Sequence, residues 1–350
     1  MESIRYLALG DSYTIGTGLQ DEAQNFPSLL AARLRQDTGI DVALTNLGVN
    51  GYTTTDLIRE ELPVARTVRP ELVSILIGAN DVVQGSDEAT YRARLAQIYD
   101  AVKELGLPAE RVLAVSIPDF SPLPGSAPFG SPSDLRARID AFNDVAREEA
   151  ASRGFQSADI TGISRETNRG SGWLASDGLH PGPAQHHAFA DHLWETANGW
   201  RSVGFDRWSN PATLVLARAQ REAEALHHSY IGAEHLLLGL LKDTEGAGGK
   251  LLSHWRVRYE RVWTHIDRTI GKRNDVNVQS TIIPTTRVRN VIRIAYQEAN
   301  SAGADSVGTE HLLLALLVAG ESIAVHILSD FSITAAIVRR ELDRHNLRKG

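Results

Sequence analysis

The chain contains no cysteine among its 350 residues, which excludes disulfides, removes thiolate metal ligands and leaves the redox compartment open. It also lacks an excess of positive charge. With 36 Lys and Arg against 43 Asp and Glu, the formal charge is −7, so no broad basic surface is offered to the phosphates of a nucleic acid. No apolar run approaches the roughly 18–20 residues that a membrane span requires. The first apolar run begins almost at Met1 with no room ahead of it for a signal peptide, so a cytoplasmic location is expected.

Several catalytic patterns are missing as well. No serine sits in a Gly-x-Ser-x-Gly elbow. Gly16-Thr17-Gly18 lacks the third glycine of a dinucleotide fingerprint, and no strand directly precedes it. Gly249-Lys250 falls short of a phosphate loop, because Thr244 replaces the first glycine and Leu251 the final Ser or Thr. The pairs His186-His187 and His227-His228 lack the i,i+4 histidine and glutamate of a helical metal site. They read as solvated helix positions, and no metal is expected.

What is present begins at Gly10-Asp11-Ser12. Tyr6-Leu7-Ala8-Leu9 reads as a buried strand, and Gly10 permits a sharp turn out of it. A serine on such a turn projects past the sheet, where open α/β folds bind ligands. Gly51, Asn80 and Asp177-Gly178-Leu179-His180-Pro181 follow in order. Together they supply what serine-based acyl transfer needs. The hydroxyl is a weak nucleophile until a base takes its proton, and a histidine does so near neutral pH. A carboxylate three residues before it can hold the other ring nitrogen, and amide donors can stabilise the oxyanion. Taken singly each block has a duller reading: Asp11 as a turn cap, Ser12 as a helix cap, Asn80-Asp81 as a strand-exit turn, and His180-Pro181 as a plain loop.

These blocks, Gly-Asp-Ser-Tyr-Thr-Ile-Gly, Asn46-Leu47-Gly48-Val49-Asn50-Gly51, Gly78-Ala79-Asn80-Asp81 and Asp177-x-x-His180, resemble those of the SGNH, or GDSL, hydrolase superfamily over roughly the first two hundred residues. The resemblance implies a Ser12 nucleophile, a His180 base oriented by Asp177, and an oxyanion hole of the Ser12 amide, the Gly51 amide and the Asn80 side chain. It implies ester hydrolysis on a small acyl substrate with no cofactor. One departure is Asn50, where many members have serine, which bears on local loop shape.

Apolar runs at 5–9, 42–46, 72–77 and 112–117 read as strands, and 23–36, 54–62, 91–105, 133–153 and 183–197 as helices. The alternation predicts an α/β domain over 1–200, a flavodoxin-like doubly wound parallel sheet. Residues 120–132, rich in proline, glycine and serine, read as a lid or specificity loop or equally as a surface connection.

After Trp200 the strands stop, and 201–209 reads as a linker. Gly232-Ala233-Glu234-His235-Leu236-Leu237-Leu238-Gly239-Leu240-Leu241 recurs 76 positions later as Gly308-Thr309-Glu310-His311-Leu312-Leu313-Leu314-Ala315-Leu316-Leu317. Two copies predict an all-α C-terminal domain with pseudo-twofold symmetry over 210–347. This region resembles the double-repeat N-terminal domain of Clp-type ATPases, the Clp R module, without its motor. The resemblance implies a protein partner, a Clp adaptor or substrate protein. In some relatives the glutamates matching Glu234 and Glu310 help bind arginine-phosphorylated proteins with nearby hydroxyls, and Ser209 and Thr285 fall loosely in those positions. The competing reading is structural: an acid in a first helical turn is favoured by the dipole by about 0.3–1 kcal/mol.

Overall fold

Strand β1 (Ile4–Gly10) is buried along almost its whole length, as a strand covered on both faces must be. It pairs in parallel with β2 (Val42–Asn46) and β3 (Leu72–Leu76), and β4 (Val112–Val115) and β5 (Gln156–Ala158) extend the sheet. The spatial order is β2-β1-β3-β4-β5. The chain therefore leaves β1 in one direction and returns past it to β3, and such reversals open a crevice at the strands' carboxyl ends. Ser12 stands two residues beyond β1 at that point. The computed structural model describes residues 3–38, 40–166, 170–205, 207–271 and 283–344. Of the expected spans, 1–2, 39 and 167–169 in the first domain, 206 in the linker, and 272–282 and 345–347 in the helical domain lie outside the described residues.

The four expected strands and the helices Phe26–Thr38, Glu88–Lys103, Pro132–Ser152 and Pro183–Thr196 are in place. Two of these helices start on side-chain caps: Asp87 accepts from Thr90 N, and Ser131 from Asp134 N. The helix expected at 54–62 is instead a capped turn, Thr54–Asp56, then a π-helical turn, Leu57–Glu61, then Leu62–Val68. The 120–132 segment carries a 3-10 turn, Pro124–Phe129. Strand β5, with three residues, and the short helix Ala79–Val83 were not anticipated.

The chain divides into two units near residue 203. The second is helical. One repeat runs Asn210–Ala225, Ala233–Leu241, Ala247–His254 and Tyr259–Thr269; the other runs Thr286–Ala302, Thr309–Val318, Ile323–Asp330 and Ala335–Arg344. The repeats exchange matching contacts at the 76-residue offset. Ile231 pairs with Pro284, and Trp208 pairs with Val307. Thr285 N donates to Ile231 O at 3.0 Å and Ser209 N to Val307 O at 3.1 Å. Both leucine runs are buried between them. This corrects the end of the expected linker: Trp208 is buried in this core and Ser209 caps its first helix. No single helix among the described residues is long and apolar enough to cross a membrane.

Candidate active site

Gly10 ends β1 at φ 150°, and a Cβ there would lie 2.1 Å from Leu76 O on β3. Only glycine lets the chain turn this close to its neighbour. Asp11 then caps the short helix Ser12–Ile15, its Oδ1 accepting from Tyr13 N at 3.0 Å. Ser12 follows, 5% exposed, on the wall of a cavity of about 40 Å3 lined also by Tyr13, Asn80, Phe129, Leu179 and His180. Three of the residues singled out in the sequence, from three distant segments, thus share one small space.

Asn80 leaves β3 on the Ala79–Val83 helix, and its Nδ2 donates to Tyr52 O at 2.8 Å. That bond aims the amide and leaves its second N–H uncommitted. The neighbouring Asp81, fully buried, accepts from Thr54 N at 2.8 Å and from the Thr54 hydroxyl at 2.6 Å. The Asn80 helix is thereby fastened to the segment that carries Gly51 and Tyr52. Gly51 itself is exposed at φ 86° in the turn before Tyr52 and does not line the cavity.

His180 Nδ1 lies 2.6 Å from Asp177 Oδ2. Asp177 Oδ1 accepts from Leu179 N and His180 N, each at 2.9 Å, so the carboxylate is held by its own loop. Burial pushes this carboxyl up, but the His180 ring and the two amides outweigh it and bring it below the usual value. The Pro124–Phe129 segment rests on the same loop. Gly125 N donates to Gly178 O at 3.1 Å, and a Cβ on Gly125 would come within 2.7 Å of Leu179 Cβ. Ser12 and His180 face one cavity without a hydrogen bond between them among the described residues; such bonds are often loose until substrate binds.

Two further buried acids crowd the nucleophile turn, and one was missed in the sequence. Glu61, 3% exposed, accepts from Gly10 N at 2.9 Å. Burial, with the Asp11 charge nearby, pushes its carboxyl up to about 9. Burial likewise pushes Asp11 up to about 7, against the pull of the Tyr13 amide. The signal for Glu61 was its place four residues after buried Leu57, on the inward face of a helical stretch.

The model of the GDSL-like lipase/acylhydrolase family matches residues 8–188, more than half of the chain. The chain belongs to this family. Residues 207–344 match the Clp repeat (R) N-terminal domain, and the helical unit is a Clp N domain. Two curated relatives match that part. ClpC/MecB, a negative regulator of genetic competence from Bacillus subtilis, is 36% identical over 138 residues, 39% of this chain and 17% of its own. ClpC, an ATP-binding subunit of the ATP-dependent Clp protease from Staphylococcus aureus, is 39% identical over 134 residues, 38% of this chain and 16% of its own. The chain thus spans less than a fifth of the length of these relatives. Among solved structures, TesA is 25% identical with a TM-score of 0.46, covering 56% of this chain and 99% of its own. The lipase/acylhydrolase from Enterococcus faecalis is 24% identical with a TM-score of 0.46, covering 56% and 96%.

In the Clp N domain the Gly-x-Glu-His segments have a packing logic. Each histidine Nδ1 accepts from its glycine N–H: His235 from Gly232 at 2.8 Å and His311 from Gly308 at 2.9 Å. Each glutamate folds back over that glycine, where a Cβ would lie 2.0 Å from Glu234 Oε1 and 2.2 Å from Glu310 Oε1. Both carboxylates are buried; burial pushes Glu234 up, and burial with the Asp243 charge pushes Glu310 up to about 7. Ser209 and Thr285 spend their hydroxyls on helix caps.

The histidine pairs are a correction to the expectation of solvated positions. His187 and His227 are exposed, but His186 and His228 are buried. His186 takes the Phe26 amide at 3.3 Å on Nδ1. His228, Glu234 and His235 place ligand-type atoms within 4.8 Å of one another. Their hydrogen bonds fix the protons differently. Because His235 Nδ1 accepts from Gly232, its proton is on Nε2, 2.9 Å from His228 Nδ1. His228 Nδ1 then accepts, and its Nε2–H points at Gly271 O at 3.0 Å. A cation on His235 Nε2 would force a proton onto Nδ1, against the Gly232 N–H. The cluster is a hydrogen-bond relay.

Proposed function

We propose that the GDSL unit is a serine esterase for small acyl groups, working through a Ser12 acyl-enzyme. The observation that carries this reading is the convergence of Ser12, Asn80 and His180 on one cavity, with Asp177 2.6 Å behind the histidine. In the reaction, Ser12 Oγ attacks the ester carbonyl carbon as His180 Nε2 takes its proton, and Asp177 stabilises the imidazolium. The carbonyl oxygen becomes an oxyanion, met by the free Asn80 N–H and the Ser12 amide; the Gly51 amide, outside the cavity, would have to move in to join them. The imidazolium returns the proton to the departing alcohol. Water, deprotonated by His180, then releases the acid and restores Ser12.

The cavity sets the acyl size. At about 40 Å3 it has room for about three waters, which supports an acetyl-sized acyl group. The test compares p-nitrophenyl acetate with the octanoate, using the full chain and Ser12→Ala. Acetate should be turned over faster, and the variant should lose at least about 10^3-fold in kcat. Equal rates in both proteins would remove the esterase reading. The Clp N domain we read as the part that engages a protein, a Clp adaptor or a Clp substrate. Titration calorimetry of purified adaptors against the full chain tests that second part, and no heat of binding counts against it.

A further inference from the structure

The two repeats of the Clp N domain share a backbone and differ in what they carry at one corner. Their third helices end alike. Arg256 N donates to Ser253 O at 2.9 Å and Val257 N to Leu252 O at 3.0 Å; Ser332 N donates to Ser329 O at 2.8 Å and Ile333 N to Leu328 O at 3.0 Å. Arg256 and Ser332 both stand at φ 59°. Yet Lys250, Arg256 and Arg258 of the first repeat correspond to His326, Ser332 and Thr334 of the second. The shared backbone therefore does not require these cations. Thr334 even does better for its helix, Ala335–Arg344, where its hydroxyl accepts from Ile337 N at 3.4 Å. Arg258 stands at the N-cap of Tyr259–Thr269 with no side-chain cap bond, and its charge opposes the helix dipole.

Lys250, Arg256 and Arg258 line one groove of about 640 Å3, together with Leu241 and Tyr259. All three are exposed, and none makes an ion pair or side-chain hydrogen bond among the described residues. A fourth cation at this corner, Lys242, is already spent: it pairs with the buried Glu222 carboxylate and lies 4.5 Å from the centre of the Tyr259 ring. The Tyr259 hydroxyl donates to the same carboxylate at 2.7 Å, which fixes the ring. The groove's two acids leave the three cations unanswered. Asp243 is buried and takes the Glu245 and Gly246 amides at 3.1 and 3.0 Å, and Glu260 is exposed and pairs with no cation among the described residues.

We propose that this groove docks an acidic segment of a partner protein, its carboxylates meeting Lys250, Arg256 and Arg258 and an apolar side chain resting on Tyr259. The proposal rests on the reading of the Clp N domain as the part that engages a protein, and names the face and the charge of what it engages. Guanidinium groups suit carboxylates, which they take two oxygens at a time. The groove's volume lies in the range of about 300–1,000 Å3 that takes drug-sized ligands, more than a single small anion fills. The matching corner of the second repeat, with His326, Ser332 and Thr334, offers no such face.

The second repeat supplies the test variant. Arg256→Ser with Arg258→Thr installs residues that the same backbone already carries 76 positions on, so the protein should fold and melt no lower than the parent. The probe is a fluorescein-labelled peptide of alternating glutamate and leucine, read by fluorescence anisotropy on the full chain. The parent should bind it, more weakly as salt is raised, and should not bind the lysine and leucine counterpart. The groove variant should lose at least about tenfold in affinity. Arg268→Ser with Arg340→Ser removes the same charge outside the groove and should stay within about twofold of the parent. A groove variant that binds like the parent, an equal loss in the charge-matched control, or a parent that leaves the anisotropy unchanged would overturn the proposal. So would a single-stranded oligonucleotide that binds more tightly than the acidic peptide. Calorimetry with purified adaptors keeps the two readings apart. Adaptor heat without peptide binding ends the groove and leaves the Clp N reading; peptide binding without adaptor heat leaves the groove and ends the adaptor.

Discussion

Asp177→Asn tests the site most sharply, because the structure dictates which way the new amide must face. Oδ1 accepts two backbone amides at 2.9 Å, and only the amide oxygen of asparagine can take that place. The reversed rotamer would set an NH2 against two N–H donors and give up both bonds, at about 0.5–1.5 kcal/mol each. The NH2 therefore lands where Oδ2 now meets His180 Nδ1 at 2.6 Å. An N–H there can only donate, so Nδ1 must be bare and the ring proton must sit on Nε2. That nitrogen then has no lone pair for the Ser12 proton.

A locked wrong tautomer of this kind costs on the order of 10^4 in kcat. Four decades correspond to about 5.4 kcal/mol of barrier. KM should hardly change, since Asp177 is not among the residues lining the cavity. The loop should keep its shape, because both Oδ1 bonds survive. Steady-state kinetics with p-nitrophenyl acetate, alongside circular dichroism to confirm folding, read both halves of the expectation. A folded Asp177→Asn with kcat within tenfold of the parent would show that this carboxylate does not set the His180 tautomer.

Two predictions concern the Clp N domain, and amide exchange over 207–344 reads both. Gly308 has an ordinary extended backbone, φ −90° and ψ 175°, so Gly308→Ala brings no backbone strain. Its Cβ would instead displace the Glu310 carboxylate, 2.2 Å away, at a cost of about 1–3 kcal/mol, and adding Glu310→Ala should recover most of the loss. His228→Phe keeps ring volume but takes the acceptor from His235 Nε2, and should cost about 1–3 kcal/mol. The loss should be confined to the first repeat, because His311 has no such acceptor to lose: Ala304 stands where His228 does. Uniform loosening of both repeats would count against the relay.

Strands β1, β3 and β4 could be read from the sequence because each is a short apolar run buried on both faces, Leu72–Leu76 most plainly. Strand β5 could not: Gln156–Ala158 has three residues, one of them buried, and its place is fixed by pairing with β4 rather than by its own pattern. His186 was readable and missed, for it shares a helical face with buried Phe189, Ala190 and Leu193. The repeat was plain as a 76-residue offset, whereas the exchange of pairings between copies is not written in either copy alone. Within 120–132, Phe129 walls the cavity and Gly125 rests on the histidine loop, contacts that no pattern in the segment's own sequence announces.

One pattern recurs around the candidate blocks. They lie at strand exits or tight loops, where backbone N–H groups have no ladder partner and would be costly to bury bare. At several of them a carboxylate takes the amide: Glu61 that of Gly10, Asp11 that of Tyr13, Asp81 that of Thr54, Asp177 those of Leu179 and His180. Because Glu61 and Asp81 reach across to another block, the same bonds that satisfy the backbone also set the blocks' distances from one another. The candidate site draws on segments up to 168 residues apart, Ser12 to His180, and these bonds brace the segments that carry Ser12 and Asn80. The arrangement also gathers buried acids behind the nucleophile, where burial pushes Glu61 up to about 9 and Asp11 up to about 7.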